Sequence, residues 1–377
     1  MATKQYDNYA DLITFTRAST GTYLDSDGLL KTATTNTPRI EYDADGNRRG
    51  LLIEEARTNF VPFSETFSAS AGNTLIPNDR IAPDGNLTAT NVTANNSANI
   101  GVTTFATTGA IASNTYTISL WVYAETTFNF TIRSRGNGTV TEAQNTSVST
   151  VAGQWVRVSS THTFTAAADG SNVAVFVYTG EINVVNSNTI WLWGFQLEAG
   201  SFPTSYISTS GAAASRSADV ASIPTSAFGY NQKAGTVVVD FETQFGTTGF
   251  PRVWEIGNTS TAVNRVNIYI VAAQSIFYFG VLSNNVSATN LNIKTDPTPA
   301  SGKFGTVFAD NDFVGVVDGG SPVTDTSGSF TTPSIPRNTL KIGGAGESTG
   351  SNISGHIKSI QYYPRRLSNA QLQELTS

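Results

Sequence analysis

Alternating apolar and polar positions recur along most of this chain and predict β-strands rather than long helices. The most apolar segment covers residues 190–207, and its period of two assigns the side chains to two faces. One face is expected to carry Trp191, Trp193, Phe195 and Leu197, and the other Ile190, Leu192 and Gln196. Because both faces are largely apolar, we predict a central strand buried between layers, which ends at Gly200 and Pro203.

Residues 115–123 show the same period of two and predict another strand. We assign it, with the strand at 190–207, to a first folded body in the N-terminal part of the chain. The inward face is expected to carry Tyr116, Ile118, Leu120 and Val122, and the opposite face Thr115, Thr117, Ser119, Trp121 and Tyr123. Core packing explains the inward set. Trp121 and Tyr123 are aromatic residues on an otherwise polar face, and that position calls for an explanation of its own.

Three further strands are predicted at 128–133, 154–160 and 173–178, separated by turns rich in Gly, Asn and Asp. Trp155 and Arg157 share a face of the middle one, which allows the guanidinium to stack on the indole. The polar stretch 208–217 then leads into a second body.

The first 60 residues predict a short arm with two turns, at 25–28 and 43–47. Residues 40–42 and 51–53 are expected to pair across the second turn. The spacing of Asp and Gly in both turns misses the EF-hand calcium loop, so we predict plain turns. An isolated hairpin is marginal in water, so the arm must pack on the first body or on a neighbouring subunit.

The second body begins near residue 221 and consists of strands and tight turns. Strands are predicted at 236–242, 252–256, 266–271, 275–282, 302–309, 313–318, 339–343 and 355–363, with a tight turn at 311–312. A short terminal helix is predicted after Ser368, because Gln371 completes a capping box and Leu367 and Leu372 are spaced for a hydrophobic staple.

Composition agrees with an all-β chain of two or three domains: 377 residues, of which 13% are charged. A net charge of −6 without any basic run argues against nucleic acid as a partner. The lack of cysteine removes disulfides and thiolate chemistry, and suits a chain folded in a bacterial cytoplasm. Neither a signal peptide nor an apolar run of about 20 residues is present, so a soluble protein without membrane insertion is expected.

Three stretches resemble one known family. Residues 193–207 look like the closing strand of jelly-roll, carbohydrate-binding-type modules in structural proteins of tailed bacteriophages, and residues 15–20 and 48–59 look like the opening segment of the same family. The second body, with its closing segments 340–344 and 355–364 and its terminal helix, resembles the concanavalin A-like (laminin G-type) lectin sandwich.

The resemblance implies an all-β fold of two β-sandwich domains, a jelly roll and then a concanavalin A-like domain, preceded by a short β-hairpin arm. The expected segments are the arm at 1–60, the jelly roll at 61–215 and the lectin-like domain at 222–377. On a jelly-roll sheet, aromatic residues on the polar face commonly stack on sugars. The candidate carbohydrate-binding residues are Trp121, Tyr123, Trp155 and Arg157. Two alternatives stay open: a subunit or arm contact covers these rings, or a loop does.

Laminin G-like sandwiches often hold calcium on rim loops, which makes Asp310, Asp312 and Asp318 the nearest candidates. These residues fall in a predicted hairpin turn and at a strand end, where they need no ion. We therefore expect no cofactor, with calcium as the alternative.

No motif assigns a reaction to this chain. His162 and His356 lie inside predicted strands, and a single sequence shows no triad around either. The carboxylates available for glycan cleavage are Glu54, Glu55, Glu181, Glu198, Asp240 and Glu242, and nothing selects a pair among them. We expect a protein that is not an enzyme.

The expected function is that of a structural protein on the surface of a tailed-phage virion, a compact tail-fibre or receptor-binding adhesin that recognises host surface glycans. One alternative is a capsid decoration protein, cement or head fibre, that uses the same folds for subunit contacts. A second is a polysaccharide depolymerase. The expected partners are other virion proteins, further copies of this chain, in a trimer, and the host cell-surface polysaccharide.

Overall fold

The computed structural model describes residues 12–69, 73–94, 102–140, 142–178, 189–244, 249–258, 263–295, 300–333, 335–344 and 351–377. Within these ranges the chain forms 28 strands and two short α-helices, so the all-β prediction is confirmed. The first sixteen strands are β1 (Thr14–Thr16), β2 (Gly21–Leu24), β3 (Leu30–Ala33), β4 (Ile40–Tyr42), β5 (Arg48–Ile53), β6 (Arg57–Asn59), β7 (Ser68–Ala69), β8 (Asn73–Ile81), β9 (Leu87–Ala94), β10 (Val102–Thr107), β11 (Thr115–Ala124), β12 (Asn129–Gly136), β13 (Ala143–Ser149), β14 (Val156–Thr163), β15 (Asn172–Tyr178) and β16 (Ile190–Ala199).

The remaining elements follow the first sandwich in the chain. They are β17 (Ala214–Arg216), β18 (Val220–Pro224), α1 (Thr225–Phe228), β19 (Ala234–Gln244), β20 (Arg252–Gly257), β21 (Arg265–Val271), β22 (Ile276–Ser283), β23 (Val286–Thr295), β24 (Ala300–Ala309), β25 (Asp312–Val317), β26 (Val323–Asp325), β27 (Thr339–Ile342), β28 (Ser354–Tyr363) and α2 (Asn369–Thr376). None of the helices in the described ranges is long and apolar enough to cross a membrane.

The first sandwich consists of two antiparallel sheets, each with five strands among the described residues. One sheet has the order β13-β12-β15-β10-β7, and the other, which we call the tryptophan sheet, has the order β14-β11-β16-β9-β8. Their inner faces enclose a core that includes Leu120, Phe130, Val175 and Leu192. The inward set predicted on β11 lies in this core, and β16 is the central strand that the sequence predicts.

A β-bulge in β16 changes the predicted faces of that strand. Gly194 has φ +67°, and the pairing of β11 with β16 shifts register between Ser119 and Trp121. Past the bulge the alternation changes phase, so Phe195 and Leu197 join Ile190 and Leu192 in the core. Trp191 and Trp193 instead lie on the outer face of the tryptophan sheet. The prediction that all four of Trp191, Trp193, Phe195 and Leu197 share a face is therefore wrong.

The second sandwich consists of two sheets that each have seven strands within the described ranges. The tyrosine sheet has the order β1-β18-β27-β20-β21-β22-β23, and the helix sheet has the order β26-β25-β24-β19-β28-β5-β4. The core between them includes Phe241, Trp254, Phe279 and Phe304. Helix α2 has the predicted capping box at Ser368 and Gln371, and it buries Leu372 against the outer face of the helix sheet.

Three strands of the predicted arm belong to the second sandwich. β1 pairs with β18, and the hairpin β4–β5, with the predicted partners Ile40 and Leu51, pairs through β5 with β28. Phe15, Leu51 and Ile53 are buried in its core. The expected partners of the arm were the first sandwich or another subunit; the second sandwich takes three of its strands because the unpaired edges of β18 and β28 accept them.

The first sandwich is therefore inserted into the second. The chain starts in the second sandwich, passes through β7 to β16 and returns at β18. Strand β6 leads into the first sandwich and β17 leads out of it. The two strands are paired, with Asn59 directly opposite Ala214. Hairpin β2–β3 lies elsewhere, with Leu24 and Leu30 against the outer face of the tryptophan sheet.

A buried ionic network, which we call the junction network, joins these parts. Asp219 accepts from Arg17 (Nη1–Oδ1 3.1 Å) and Arg39 (Nη2–Oδ2 2.5 Å), and Glu54 lies 2.8 Å from Arg39 and 3.3 Å from Arg216. The Ser205 hydroxyl donates to Glu54 over 2.6 Å. The three stretches that carry the phage-family resemblance supply Arg17, Glu54 and Ser205, so in this fold they meet at one place.

Burial alone would raise the pKa of Glu54, but the charges of Arg216 and Arg39 outweigh it and lower this pKa to about 2. Glu54 is therefore an anion among buried arginines at neutral pH. The network contains three guanidinium groups and two carboxylates in its buried centre.

Candidate functional site

The outer face of the tryptophan sheet carries a half-buried group of rings that we call the aromatic cluster: Tyr123 on β11, Trp191 on β16 and Trp155 just before β14. The centroid of the Tyr123 ring lies 5.7 Å from that of Trp155 and 5.6 Å from that of Trp191. Tyr123 and Trp191 are directly opposite each other in the β11–β16 ladder, which explains the edge-to-face contact. Two of these three residues, Tyr123 and Trp155, belong to the predicted sugar-binding set.

Arg80 from β8 covers part of the aromatic cluster. Its guanidinium carbon lies 3.7 Å from the centroid of Tyr123 and 4.3 Å from that of Trp191, and it forms an ion pair with Glu125. The Glu125 side chain is 62% exposed, so this pair is weak and exchanges readily with another partner. A ligand that stacks on Tyr123 has to displace this guanidinium.

Polar groups surround the rings and fix their orientation. Trp191 Nε1 donates to Asp79 Oδ2 over 2.8 Å, and Asn91 donates to the same oxygen over 2.8 Å. These hydrogen bonds, first from Asn91 and then from Trp191, hold the pKa of Asp79 below its ordinary value. Trp155 Nε1 donates to the carbonyl of Ile81 over 3.1 Å. The cluster thus combines apolar ring surface with carboxylate and amide groups within reach.

Trp121 does not belong to the aromatic cluster, so its prediction as a carbohydrate-binding residue is wrong. It is 6% exposed, and the rings of Trp193 and Tyr206 lie 5.4 and 5.6 Å from it. Leu30 of the arm packs in the same buried group. Of the alternatives left open for Trp121, the structure shows coverage by the chain's own segments, Tyr206 of the loop after β16 and the cluster that includes Leu30 of the arm, and a sugar cannot reach its ring.

Arg157 stacks on a different tryptophan from the one predicted. Its guanidinium carbon lies 4.5 Å from the centroid of Trp121, and Nη2 donates to the Ser119 hydroxyl over 2.9 Å. Trp155 shares its strand face but contacts Tyr123 instead. Arg157 therefore helps to cover Trp121 and is not placed on the aromatic cluster.

The three calcium candidates are each bound to hydrogen-bond donors or cations. Asp310 accepts from the Phe330 amide over 2.8 Å, Asp312 binds Arg366 through both oxygens, and Asp318 accepts from the Lys303 amide over 2.8 Å. Across the described ranges, acidic and histidine side chains do not form a group of three suited to a metal ion. The geometry of these three residues is that of turn and strand contacts.

The two histidines lie in sheets, as predicted. His162 is buried, Nδ1 lies 2.8 Å from the Ser134 hydroxyl, and burial lowers its pKa. His356 lies between Glu41 and Glu242, with Nε2 2.6 Å and Nδ1 3.0 Å from their respective oxygens. The second contact is close enough for an ion pair but lacks the angle of a directed hydrogen bond.

Among the residues that the structure describes, the carboxylates named for glycan cleavage do not form an open pair. Glu54 belongs to the junction network, Glu198 accepts from Thr204, and Glu242 contacts His356 and Arg49. A groove of about 620 Å³ lies between the sandwiches, and Glu55 is the one acidic residue among the described residues that line it. Glu55 is paired there with Arg57. Glu181 lies outside the described residues, and Asp240 is half-buried on β19.

The sequence analysis missed Arg80, Asp79 and the outward orientation of Trp191. β8 lacks a clear period of two, so nothing marks Asp79 or Arg80 as neighbours of Tyr123. A glycine in the middle of an apolar strand, Gly194, is the signal that places Trp191 outside, because such a glycine often marks a bulge.

Comparison with known proteins gives no family for this chain. No protein-family model matches it, and no curated protein matches it either. Among solved structures, a Streptococcus pneumoniae NanB sialidase complex is 14% identical, with 41% of this chain and 26% of that chain covered and a TM-score of 0.33. The Ruminococcus gnavus IT-sialidase CBM40 bound to alpha2,3 sialyllactose is 16% identical, with 39% and 84% covered and a TM-score of 0.34.

A leech intramolecular trans-sialidase is 14% identical, with 39% of this chain and 23% of that chain covered and a TM-score of 0.31. The match thus spans about a quarter of the length of the NanB and leech enzymes. A likeness at this level is no guide to what the present chain binds or catalyses.

Proposed function

We propose that this protein is a non-enzymatic structural component of a tailed-phage virion surface, a compact adhesin that binds host surface glycans through the aromatic cluster. The observation that carries the proposal is the half-exposed set Tyr123, Trp155 and Trp191, bordered by Asp79 and Glu125. Ring faces cover the apolar C–H surface of a pyranose, and the neighbouring carboxylates accept its hydroxyls.

The virion location rests on the resemblance of residues 15–20, 48–59 and 193–207 to phage structural proteins. A single shallow site of this kind binds weakly. Several copies on one particle raise the avidity by about 10² to 10⁴. We propose a trimer that forms through the sandwiches themselves, together with other virion proteins as partners.

The test is binding of the whole protein to polysaccharide purified from the host cell surface. Replacement of Tyr123 and Trp191 together by Ala is expected to abolish binding and leave the melting temperature of the sandwich core nearly unchanged. Tyr363→Ala, which removes a half-buried tyrosine from the second sandwich, is the matched control. Undiminished glycan binding by the double variant would refute the assignment of this site.

The second candidate is a capsid decoration protein. The observation in its favour is the apolar border of the aromatic cluster, where Ile81 and Leu87 are 59% and 58% exposed on strands β8 and β9. Such side chains suit burial against another subunit. Immunogold labelling of virions with an antibody to residues 222–377 separates the two: gold on the tail supports the adhesin, and gold over the head supports decoration. The depolymerase alternative has no comparable observation behind it.

A further inference from the structure

The outer face of the tyrosine sheet carries a second aromatic surface, far from the aromatic cluster in the fold. Tyr269 on β21 and Tyr278 on β22 are directly opposite each other, and their rings lie 5.6 Å apart at an angle of 18°. Both are half-buried, and Phe250, which is 56% exposed, lies 6.3 Å from Tyr269. Three aromatic rings thus adjoin each other on an uncovered part of the described surface.

Polar side chains hold this surface in one arrangement. The Tyr269 hydroxyl donates to Asn290 Oδ1 over 2.8 Å, and Asn290 and Asn292 on β23 are both exposed. Gly280 follows on the same face, where a Cβ would lie 3.0 Å from Tyr269 Cε1. Asn267 Oδ1 would lie 2.9 Å from the same Cβ, so the Tyr269 ring and Asn267 pack closely over the buried Gly280, which is directly opposite Asn290. Exposed amide groups beside an aromatic ring are parts of a sugar-binding surface.

The charge of this face differs from that of the whole protein. Its described strand positions carry three cations, Arg252, Arg265 and Lys341, and one anion, Glu255. The whole chain has a net charge of −6. Arg252 is directly opposite Tyr269 in the β20–β21 ladder, and Arg265 lies four positions before Tyr269 on the same face of β21.

The aromatic cluster has the opposite balance. Among the described residues, Asp79 and Glu125 there outnumber Arg80, the one cation that contacts the rings. An anionic sugar is repelled by the two carboxylates at the first surface and attracted by the surplus of cations at the second.

We propose that the Tyr269–Tyr278 face is a second binding site, and that it takes acidic polysaccharide, in which a carboxylated sugar ring stacks on the tyrosines. Glu255 lies 2.9 Å from Arg252, so the carboxylate of the sugar pairs with Arg265, while Asn290 and Asn292 bind its hydroxyls. The cations are interleaved with Glu255 and form no continuous track, so the face suits an isolated sugar charge better than a phosphate backbone.

The experiment measures binding of the whole protein to immobilised polygalacturonate, with dextran of equal length as the neutral probe and oligothymidylate as the nucleic-acid probe. We expect binding to polygalacturonate alone, weakened as NaCl rises from about 50 to about 500 mM. Tyr278→Ala is expected to lower the affinity about fivefold to tenfold, whereas Tyr278→Phe keeps it.

Further variants test whether the positive charge of Arg265 contributes to binding and whether binding takes place at this face. Arg265→Gln is expected to weaken binding and flatten the salt dependence, and Lys233→Gln, which removes an equal charge from an exposed loop elsewhere, is expected to change neither. Tyr123→Ala is expected to leave polygalacturonate binding intact, so failure of this proposal and failure of the proposed adhesin site are distinguishable. Equal binding of dextran or oligothymidylate, an equal effect of Lys233→Gln, or no binding to polygalacturonate would overturn the proposal.

Discussion

Arg39 and Asp219 are 180 positions apart in the chain, yet guanidinium Nη2 of one lies 2.5 Å from carboxylate Oδ2 of the other, and both side chains are fully buried. Asp219 also binds Arg17 and accepts from the Glu54 amide over 2.9 Å. One carboxylate therefore compensates two buried cations of the arm, Arg17 just after β1 and Arg39 just before β4.

Asp219→Ala is expected to be among the most destabilising single changes in the protein. It leaves Arg17 buried without its carboxylate partner and Arg39 with Glu54 alone, which costs about 3–5 kcal/mol of unfolding free energy. Urea unfolding followed by circular dichroism measures the loss. Glu125→Gln, which breaks the exposed pair with Arg80, is the control and is expected to cost less than about 1 kcal/mol. Equal costs for the two variants would contradict a special role of the junction network.

Gly194→Ala is expected to disturb the packing of Trp121. A Cβ at Gly194 would lie 2.8 Å from Trp121 Cε3, and the residue also has φ +67°. Backbone strain and the clash together are expected to cost about 2–4 kcal/mol. Gly153→Ala is the matched control, because Gly153 has φ +71° but nothing lies within 4 Å of a Cβ there.

The difference between these two glycine variants measures the contact with Trp121 alone, since the backbone strain is common to both. Thermal unfolding monitored by near-ultraviolet circular dichroism reports the environment of the tryptophans directly. A Gly194 variant no less stable than the Gly153 variant would show that the Trp121 ring moves aside without cost.

His356 makes the attachment of hairpin β4–β5 dependent on pH. Glu41 of β4 and Arg49 of β5 face it from the hairpin, and Glu242 and Lys358 face it from β19 and β28. Burial lowers the pKa of His356, but contacts with Glu242 and Glu41 outweigh burial and raise it above the ordinary 6.5. The close contact with His356, aided by Arg49, lowers the pKa of Glu242 to about 2.

Stability from the raised His356 pKa is fully present below pH 6.5 and is lost as the pH rises through the raised value. Stability from Glu242 is present above pH 4.5 and is lost as the pH falls towards about 2. The melting temperature of the natural protein is therefore expected to exceed that of His356→Gln most between pH 4.5 and 6.5. A difference that stays constant up to about pH 9 would disprove the linkage.

The second sandwich is expected to need the arm in order to fold. Without residues 12–59 the sheets lose β1, β4 and β5, and the core loses Phe15, Leu51 and Ile53. The fragment 222–377 is expected to aggregate, and a co-expressed 12–59 peptide to restore a monodisperse complex in size-exclusion chromatography. Cooperative unfolding of the fragment alone, at the melting temperature of the whole protein, would contradict this.

The local sequence pattern was enough to predict the elements in which the alternation of side chains is not interrupted. β11 has its four predicted core residues in the core, and α2 has its predicted cap, because period and capping are properties of neighbouring residues. The alternation of β16 failed at Gly194, since a bulge depends on how two strands fit and not on one strand alone.

Long-range contacts set the rest of the site. Tyr123 and Trp155 were found because their own strands mark them as outward aromatic residues. Arg80 and Asp79 reach the same rings from β8, and Tyr206 of the loop after β16 packs on Trp121. Contacts between distant segments produce no periodic pattern in the sequence. For the same reason Arg157 was predicted to stack on Trp155, whereas it stacks on Trp121.

The pairing of β6 with β17 brings the two ends of the first sandwich side by side. The first sandwich, between Asn59 and Ala214, is thus an inserted domain, and strands of the second sandwich precede and follow it in the chain. An inserted domain whose two ends are adjacent can be replaced by another domain without a change in the chain connections of the second sandwich. Under the proposed adhesin function, replacement of the whole first sandwich, with the second sandwich kept unchanged, would change the receptor that the protein binds.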